Sequence, residues 1–205
     1  MIVTPFSNKI LVKDYDFPDL WTEELIVTLK YLAANKEENC SLTKAIRESN
    51  LYSDAHKTTK PYIIHEETAT RFEIISELRK IFIDGFCELN KAYGNPFTEE
   101  YLRRVYLRDS GNFATVKRGS YVGIHDHPSI AFAIFYLSDV AEEDGGQLIL
   151  HDPSFHNVDH FSCPKEIKIK AKKNRLVIGP ASIWHEVELY TGHTDRLCAV
   201  IDLRR

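Results

Sequence analysis

At 205 residues, 43% hydrophobic and 27% charged, the chain has apolar material for one well-buried domain and too little length for two full ones. A formal net charge of −4 argues against the clustered basic surface that nucleic acid demands, and no apolar run has the length of a membrane span. The four cysteines, Cys40, Cys87, Cys163 and Cys198, form no Cys-x-x-Cys pair. That spacing excludes a zinc knuckle and argues against a disulfide framework, and with no export signal at Met1–Phe6 it points to a reducing, cytoplasmic setting.

The first half of the chain predicts helices. Pro18 suits a first helical turn, Asp19, Glu23 and Glu24 suit the positive end of the helix dipole, and Leu20, Trp21, Leu25, Ile26, Leu29 and Leu32 recur at helical spacing. A second helix is expected to start with a Thr70–Glu73 capping box. Phe72, Ile75, Phe82, Phe86, Leu89 and Tyr93 form its apolar stripe, and Gly94-Asn95-Pro96 ends it. Between the two, 39–67 is polar and poorly periodic, which fits either a lid beside a site or a plain surface connection.

From about Leu102 the pattern turns to short strands near Phe113–Arg118, Tyr121–His127, Ala131–Leu137, Gln147–His151, Glu166–Ala171, Arg175–Gly179, Glu186–Tyr190 and Arg196–Leu203. Gly145-Gly146, Asp152-Pro153, Lys173-Asn174 and Thr191-Gly192 supply turns. Asn174 stands at a position where left-handed backbone is expected, which Asn tolerates. Lysines gather at Lys165, Lys168, Lys170, Lys172 and Lys173, and the alternation of Glu166-Ile167-Lys168-Ile169-Lys170 makes that cluster the wet face of a strand. The expected fold class is α+β: a double-stranded β-helix (a cupin-like jelly roll) with N-terminal helices packed on one sheet. Residues 1–100 form the mainly helical part and 101–205 the jelly-roll core of one 1–205 domain.

His125-Asp126-His127 is the centre of the functional reading. On a strand, side chains two apart face the same way, so both imidazoles could reach one ion while Asp126 points elsewhere. His185, preceded by the apolar run Leu176-Val177-Ile178, is the third candidate ligand. Three such donors leave half an octahedron open for co-substrate and O₂. Asp126 would replace His127 only if a bulge turned it inward.

The order Gly119, His125-Asp126-His127-Pro128, Gly145-Gly146-Gln147-Leu148, Arg175–Ile178, His185 and Arg196 resembles the Fe(II)/2-oxoglutarate-dependent oxygenase superfamily. The superfamily includes a prolyl-4-hydroxylase-like branch, and the resemblance runs over roughly 112–202. It implies His125 and His185 as ligands of Fe(II), and Arg196 as anchor of the distal carboxylate of 2-oxoglutarate by a bidentate fork. Cys198 stands where the superfamily often has a hydroxyl residue. His127 stands where it usually has aspartate, and His-x-His-Pro is similar to a bacterial and phage-associated branch. Three neutral imidazoles leave the full divalent charge on the metal and so favour anionic ligands. The Gly179-Pro180-Ala181-Ser182 stretch replaces a more usual aromatic-Pro-Ser one, either widening the pocket beside His185 or altering a turn.

Tyr121 and Tyr136 are candidates to hydrogen-bond the co-substrate from inside the barrel, with Tyr106 a third, although buried tyrosine needs a partner in any role. His151, His156 and His160 read as a solvated loop rather than a second metal site, His193 as surface, and nothing distinguishes His56 or His65. The activity that the resemblance implies is hydroxylation of a C–H bond in a peptide or protein side chain or an amino-acid-like small molecule. It would consume O₂, with no nucleic-acid or membrane partner. A three-histidine cupin dioxygenase that does not use 2-oxoglutarate, and a non-catalytic jelly-roll binding or sensing protein, are the alternatives. No motif sets the oligomeric state.

Overall fold

A computed structural model describes residues 2–3, 8–34, 56–58, 63–94, 111–151 and 166–203. Cys40, Asn95-Pro96, Tyr106, Asp152-Pro153, His156, His160, Cys163 and most of the expected 39–67 loop lie outside these residues.

In chain order the elements are β1 (Ile2–Val3), β2 (Ile10–Asp14), α1 (Asp19–Ala34), β3 (His56–Thr58), α2 (Glu66–Arg71), α3 (Glu73–Ala92), β4 (Gly111–Val116), β5 (Val122–His125) and β6 (Ala131–Tyr136). A short 3₁₀ turn at Glu142–Asp144 follows, then β7 (Leu148–His151), β8 (Glu166–Ile169), β9 (Arg175–Pro180), β10 (His185–Val187) and β11 (Arg196–Leu203). They build two antiparallel sheets, one ordered β1-β2-β9-β6-β11-β4-β3 and the other β5-β10-β7-β8. This is the expected α+β jelly roll. Each of the eight strands read from the second half is present, shifted by at most a few residues at its ends.

The period-two alternation of the large sheet divides two cores. Leu11, Ala133, Phe135, Leu176, Ile178, Leu197, Ala199 and Ile201 face the helices and pack with Leu25, Leu29, Ile75, Leu78, Phe82 and Phe86. Ile10, Val12, Ile134, Tyr136, Val177 and Cys198 face the other way and pack with Leu148, Leu150 and Tyr190 of the small-sheet half. Each fully buried Leu, Ile or Phe contributes roughly 1.5–3 kcal/mol of transfer free energy, so these two layers hold the sheets and helices in place. The expected helices therefore do cover one face of one sheet.

Several local readings are corrected. Leu20 is 75% exposed, and the buried positions of α1 are Thr22, Leu25 and Leu29. Thr70 does not cap α3, because a separate short helix, α2, already occupies its place. The Thr70 hydroxyl donates to the Glu67 carbonyl at 2.7 Å, and α3 starts after Phe72 in extended conformation. Strand β2 was not anticipated. Its Ile10, Leu11 and Val12 are all buried, so no polar alternation marks it. Residues 56–58 pair with β4 as an added strand. Asn174 does adopt positive φ, 62°, and its Oδ1 accepts from the buried Thr22 hydroxyl at 2.8 Å.

Candidate metal and anion site

His125 and His185 face each other as Cα partners across the β5–β10 pair. The pairing then slips: Val187 opposes Val122, so β5 spends three residues where β10 spends two. This bulge brings the side chain of His125 to the same face as buried Val122, and Ile124 between them is exposed. His127 reaches the same place by another route than the alternation expected. Strand β5 stops at His125, and the His127 backbone N–H is held by the Ala181 carbonyl at 3.1 Å. Asp126 is exposed, as read from the sequence.

Two of the imidazoles are oriented by hydrogen bonds through Nδ1, and the third has a carboxylate beside it. His125 Nδ1–H donates to the Gly123 carbonyl and His185 Nδ1–H to the Ile183 carbonyl, both at 2.8 Å. His127 Nδ1 lies 2.9 Å from Oδ1 of Asp202. With Nδ1 carrying the proton, a neutral ring presents a bare Nε2 lone pair, and these are what converge. The candidate donor atoms of the three rings all lie within 4.8 Å of one another, and Nε2 of His127 is 3.1 Å from Nε2 of His185. Two nitrogens each about 2.1 Å from one ion and at right angles would be about 3.0 Å apart. Two lone pairs at that distance repel unless a cation lies between them, so the donor set fits a divalent metal.

Burial keeps the rings of His125 and His185 neutral. It is the main cause that pushes the pKa of His185 down to about 3, with His125 and His127 adding repulsion, and it also lowers that of His125. Neutral imidazole is the metal-binding form. Phe132 forms the wall behind them, its ring stacked on His185 with centroids 4.4 Å apart and on His127 at 6.0 Å. Gly179 explains how that ring fits. A Cβ at Gly179 would lie 2.5 Å from Ile10 Cδ1 and 3.0 Å from Phe132 Cζ. The missing side chain is thus filled by Phe132 and Ile10, and does not widen the pocket.

Along the interior face of the large sheet, Arg196 and Tyr136 form a second polar group. Arg196 is 2% exposed, and its Nε and Nη2 are buried without a partner among the described residues. Its Nη1 is 3.8 Å from the Cys198 sulfur, and its Cζ lies 5.1 Å from the centroid of the Tyr136 ring. Tyr136 is fully buried, its hydroxyl also has no partner among the described residues, and burial pushes its pKa up to about 12. Burial likewise raises the Cys198 thiol. Gly146, at φ +67, leaves room for the arginine stem, since a Cβ there would lie 3.3 Å from Arg196 Cδ. Nε and Nη2 make the side-on fork that a carboxylate accepts from, and an unpaired buried guanidinium is costly. This pair of groups fits a carboxylate ligand.

Tyr121 is a correction. It is 41% exposed, because Val122 takes the buried position at the start of β5 and adjacent residues on an extended chain point to opposite sides. Trp184 is also largely exposed. His151 ends β7 with Nε2 3.2 Å from Glu186, and His193 lies 3.3 Å from Arg118, so neither joins the cluster. Two residues of the site escaped the sequence reading. Phe132 looks like any core aromatic. Asp202, however, interrupts an apolar strand at the same parity as Arg196, and a carboxylate on an inward position was a usable signal.

No protein-family profile and no curated protein matches the sequence. Solved structures do match in fold. A prolyl-4-hydroxylase from Pseudomonas putida aligns with a TM-score of 0.55 at 18% identity, over 96% of this chain and 92% of that one. A prolyl hydroxylase from Trichoplax adhaerens, in complex with a hypoxia inducible factor peptide fragment, aligns at 0.55 and 14%, over 95% and 83%. HygX from Streptomyces hygroscopicus, with nickel, 2-oxoglutarate and hygromycin B bound, aligns at 0.54 and 12%, over 93% and 80%. The chain therefore shares the jelly-roll fold of these three proteins, and it carries a three-histidine group suited to a metal.

Proposed function

We propose that the chain is an Fe(II)- and 2-oxoglutarate-dependent oxygenase. The observation that carries this reading is the buried fork of Arg196, unpartnered at Nε and Nη2 among the described residues, in the same jelly roll as three converging imidazoles. A metal alone explains the histidines but leaves the guanidinium with no purpose. A dianionic keto acid uses both.

In this reading His125, His127 and His185 hold iron through Nε2 on one face, leaving the other face for ligands. When bound, iron and 2-oxoglutarate supply the oxidising chemistry, with succinate and CO₂ as by-products. The chain's own residues do the rest. Arg196 binds the distal carboxylate through its fork, and the Tyr136 hydroxyl donates to the same group. Cys198 packs beneath the fork without adding charge. Phe132 and the surrounding apolar wall exclude water from the site. Tyr121, being exposed, is assigned no part in holding the co-substrate.

The proposed outcome is hydroxylation of a C–H bond. Proteins of this fold include one seen with a peptide and one seen with hygromycin B, so a peptide side chain and an amino-acid-like small molecule are both retained as substrate classes. The test is anaerobic titration with iron(II) and 2-oxoglutarate. A visible charge-transfer band that needs both additions supports the proposal. A band indifferent to 2-oxoglutarate favours a three-histidine dioxygenase, a reading supported by the all-imidazole donor set. No iron binding rejects both. Succinate release against a panel of peptides and amino acids then identifies the substrate class.

A further inference from the structure

Asp202 stands on β11 with 14% of its side chain exposed, on the inward face shared with Arg196 and Cys198. A carboxylate on the interior side of an apolar strand is expensive unless it meets a partner. Its Oδ1 lies 2.9 Å from Nδ1 of His127, the nitrogen opposite to the one that faces the cluster. Its Cα partner on β6 is Phe132, whose ring stacks on His127 and His185. The other two histidines meet backbone carbonyls through Nδ1, which are neutral. Only His127 has a charged group behind it among these three contacts.

We propose that Asp202 is the positioning residue of the metal centre, turning Nε2 of His127 toward the ion and supplying, one bond-step behind it, the negative charge that three neutral imidazoles lack. The proposal rests on the metal-site reading above. Three imidazoles and a divalent ion carry two positive charges, and with the Asp202 carboxylate the unit carries one. The carboxylate also makes the His127 ring a stronger donor, since it stabilises positive charge drawn onto the imidazole by the ion. A backbone carbonyl does this less, because it brings a dipole in place of a full charge.

The experiment uses cobalt(II) alone, followed by its visible bands and by equilibrium dialysis, on wild type, Asp202→Asn and Asp202→Glu. Asn keeps the size and an acceptor oxygen but removes the charge. The expected result is a 10–100-fold loss of cobalt affinity in Asp202→Asn, the range seen when such supporting groups are changed. A shifted cobalt spectrum and substantial recovery in Asp202→Glu accompany it. A second measurement separates charge from simple damage. In cobalt-saturated protein, 2-oxoglutarate should bind Asp202→Asn at least as tightly as wild type, because the site is one unit more positive. A structural lesion weakens both ligands together, and that result overturns the proposal. So does an Asp202→Asn protein with wild-type cobalt affinity and spectrum. If wild type itself takes up no cobalt, the metal-site reading fails, and this inference with it.

Discussion

Arg196 and Asp202 share the inward face of β11, the guanidinium at the start of the strand and the carboxylate near its end. Six residue steps of extended chain separate them, about 20 Å of strand. One β-strand thus carries the group proposed to bind the co-substrate's far end and the group behind a histidine of the candidate metal site. Its parity keeps both pointing into the barrel.

The opposite demands on Arg196 give the first prediction. Arg196→Met removes a buried charge whose Nε and Nη2 have no partner among the described residues, so thermal denaturation without added 2-oxoglutarate should show equal or higher stability, by up to about 3 kcal/mol. The same variant should lose 2-oxoglutarate affinity by about 100-fold, as expected for a charged bidentate contact worth roughly 1.5–3 kcal/mol per hydrogen bond. Metal affinity should be unchanged. A variant that loses stability and metal together would mean that Arg196 holds up the fold instead.

His185→Ala should abolish iron retention through gel filtration, and His125→Ala should do the same. The two are cross-strand partners, so neither can be replaced by a neighbouring ring without re-registering β5. Full-affinity iron binding in either variant would show the ligand assignment to be wrong.

Gly179→Ala is expected to destabilise the protein by about 1–3 kcal/mol, the usual cost of overpacking. The new methyl group would press on Ile10 and on the Phe132 ring, which stacks on His185. Metal affinity should therefore fall as well, although the substitution touches no ligand. Chemical denaturation and cobalt titration together read both effects.

Acid sensitivity should come in two windows. His185 is protonated near 6.5 when unfolded and near 3 when folded, so between those values the unfolded state binds more protons. Stability of the metal-free protein then falls as pH drops from about 6.5 toward 3, with a slope of up to about 1.4 kcal/mol per pH unit from this group. Metal-free His185→Gln should lose that slope. Asp14 acts lower. Hydrogen bonds from Arg175 and Lys172 hold its carboxyl below the ordinary 3.8, so its contribution is present above 3.8 and lost as pH falls through the folded value. Asp14→Asn should be less stable than wild type at neutral pH and converge with it in strong acid.

The jelly roll was legible because its strands carry contrast. Glu166-Ile167-Lys168-Ile169 alternates on a half-exposed strand, and Gly145-Gly146 and Lys173-Asn174 punctuate the chain where φ turns positive. Strand β2 was hidden for the opposite reason, since Ile10, Leu11 and Val12 are buried between two cores and show no period. The three histidines could be named, but the reason for their convergence could not. Alternation within one strand was the expected cause. The actual causes are a bulge in β5 and an Ala181 carbonyl that holds the His127 backbone, and both are long-range pairings that a local pattern does not encode. Tyr136 and Tyr121 looked equivalent as residues. Only their places in the fold separate them: Tyr136 ends the buried strand β6, while Tyr121 precedes β5, whose first buried position is Val122.

Two of the three imidazoles come from the four-stranded layer, while Arg196, Tyr136 and Asp202 come from the seven-stranded one. Any occupant that touches both works as a clamp across the sandwich. Binding should therefore harden the whole molecule against heat and proteases, and loosening the apolar filling far from the histidines should weaken occupancy. A chain in which one layer has formed without its mate would have no place for either ligand, so their uptake reports completed assembly.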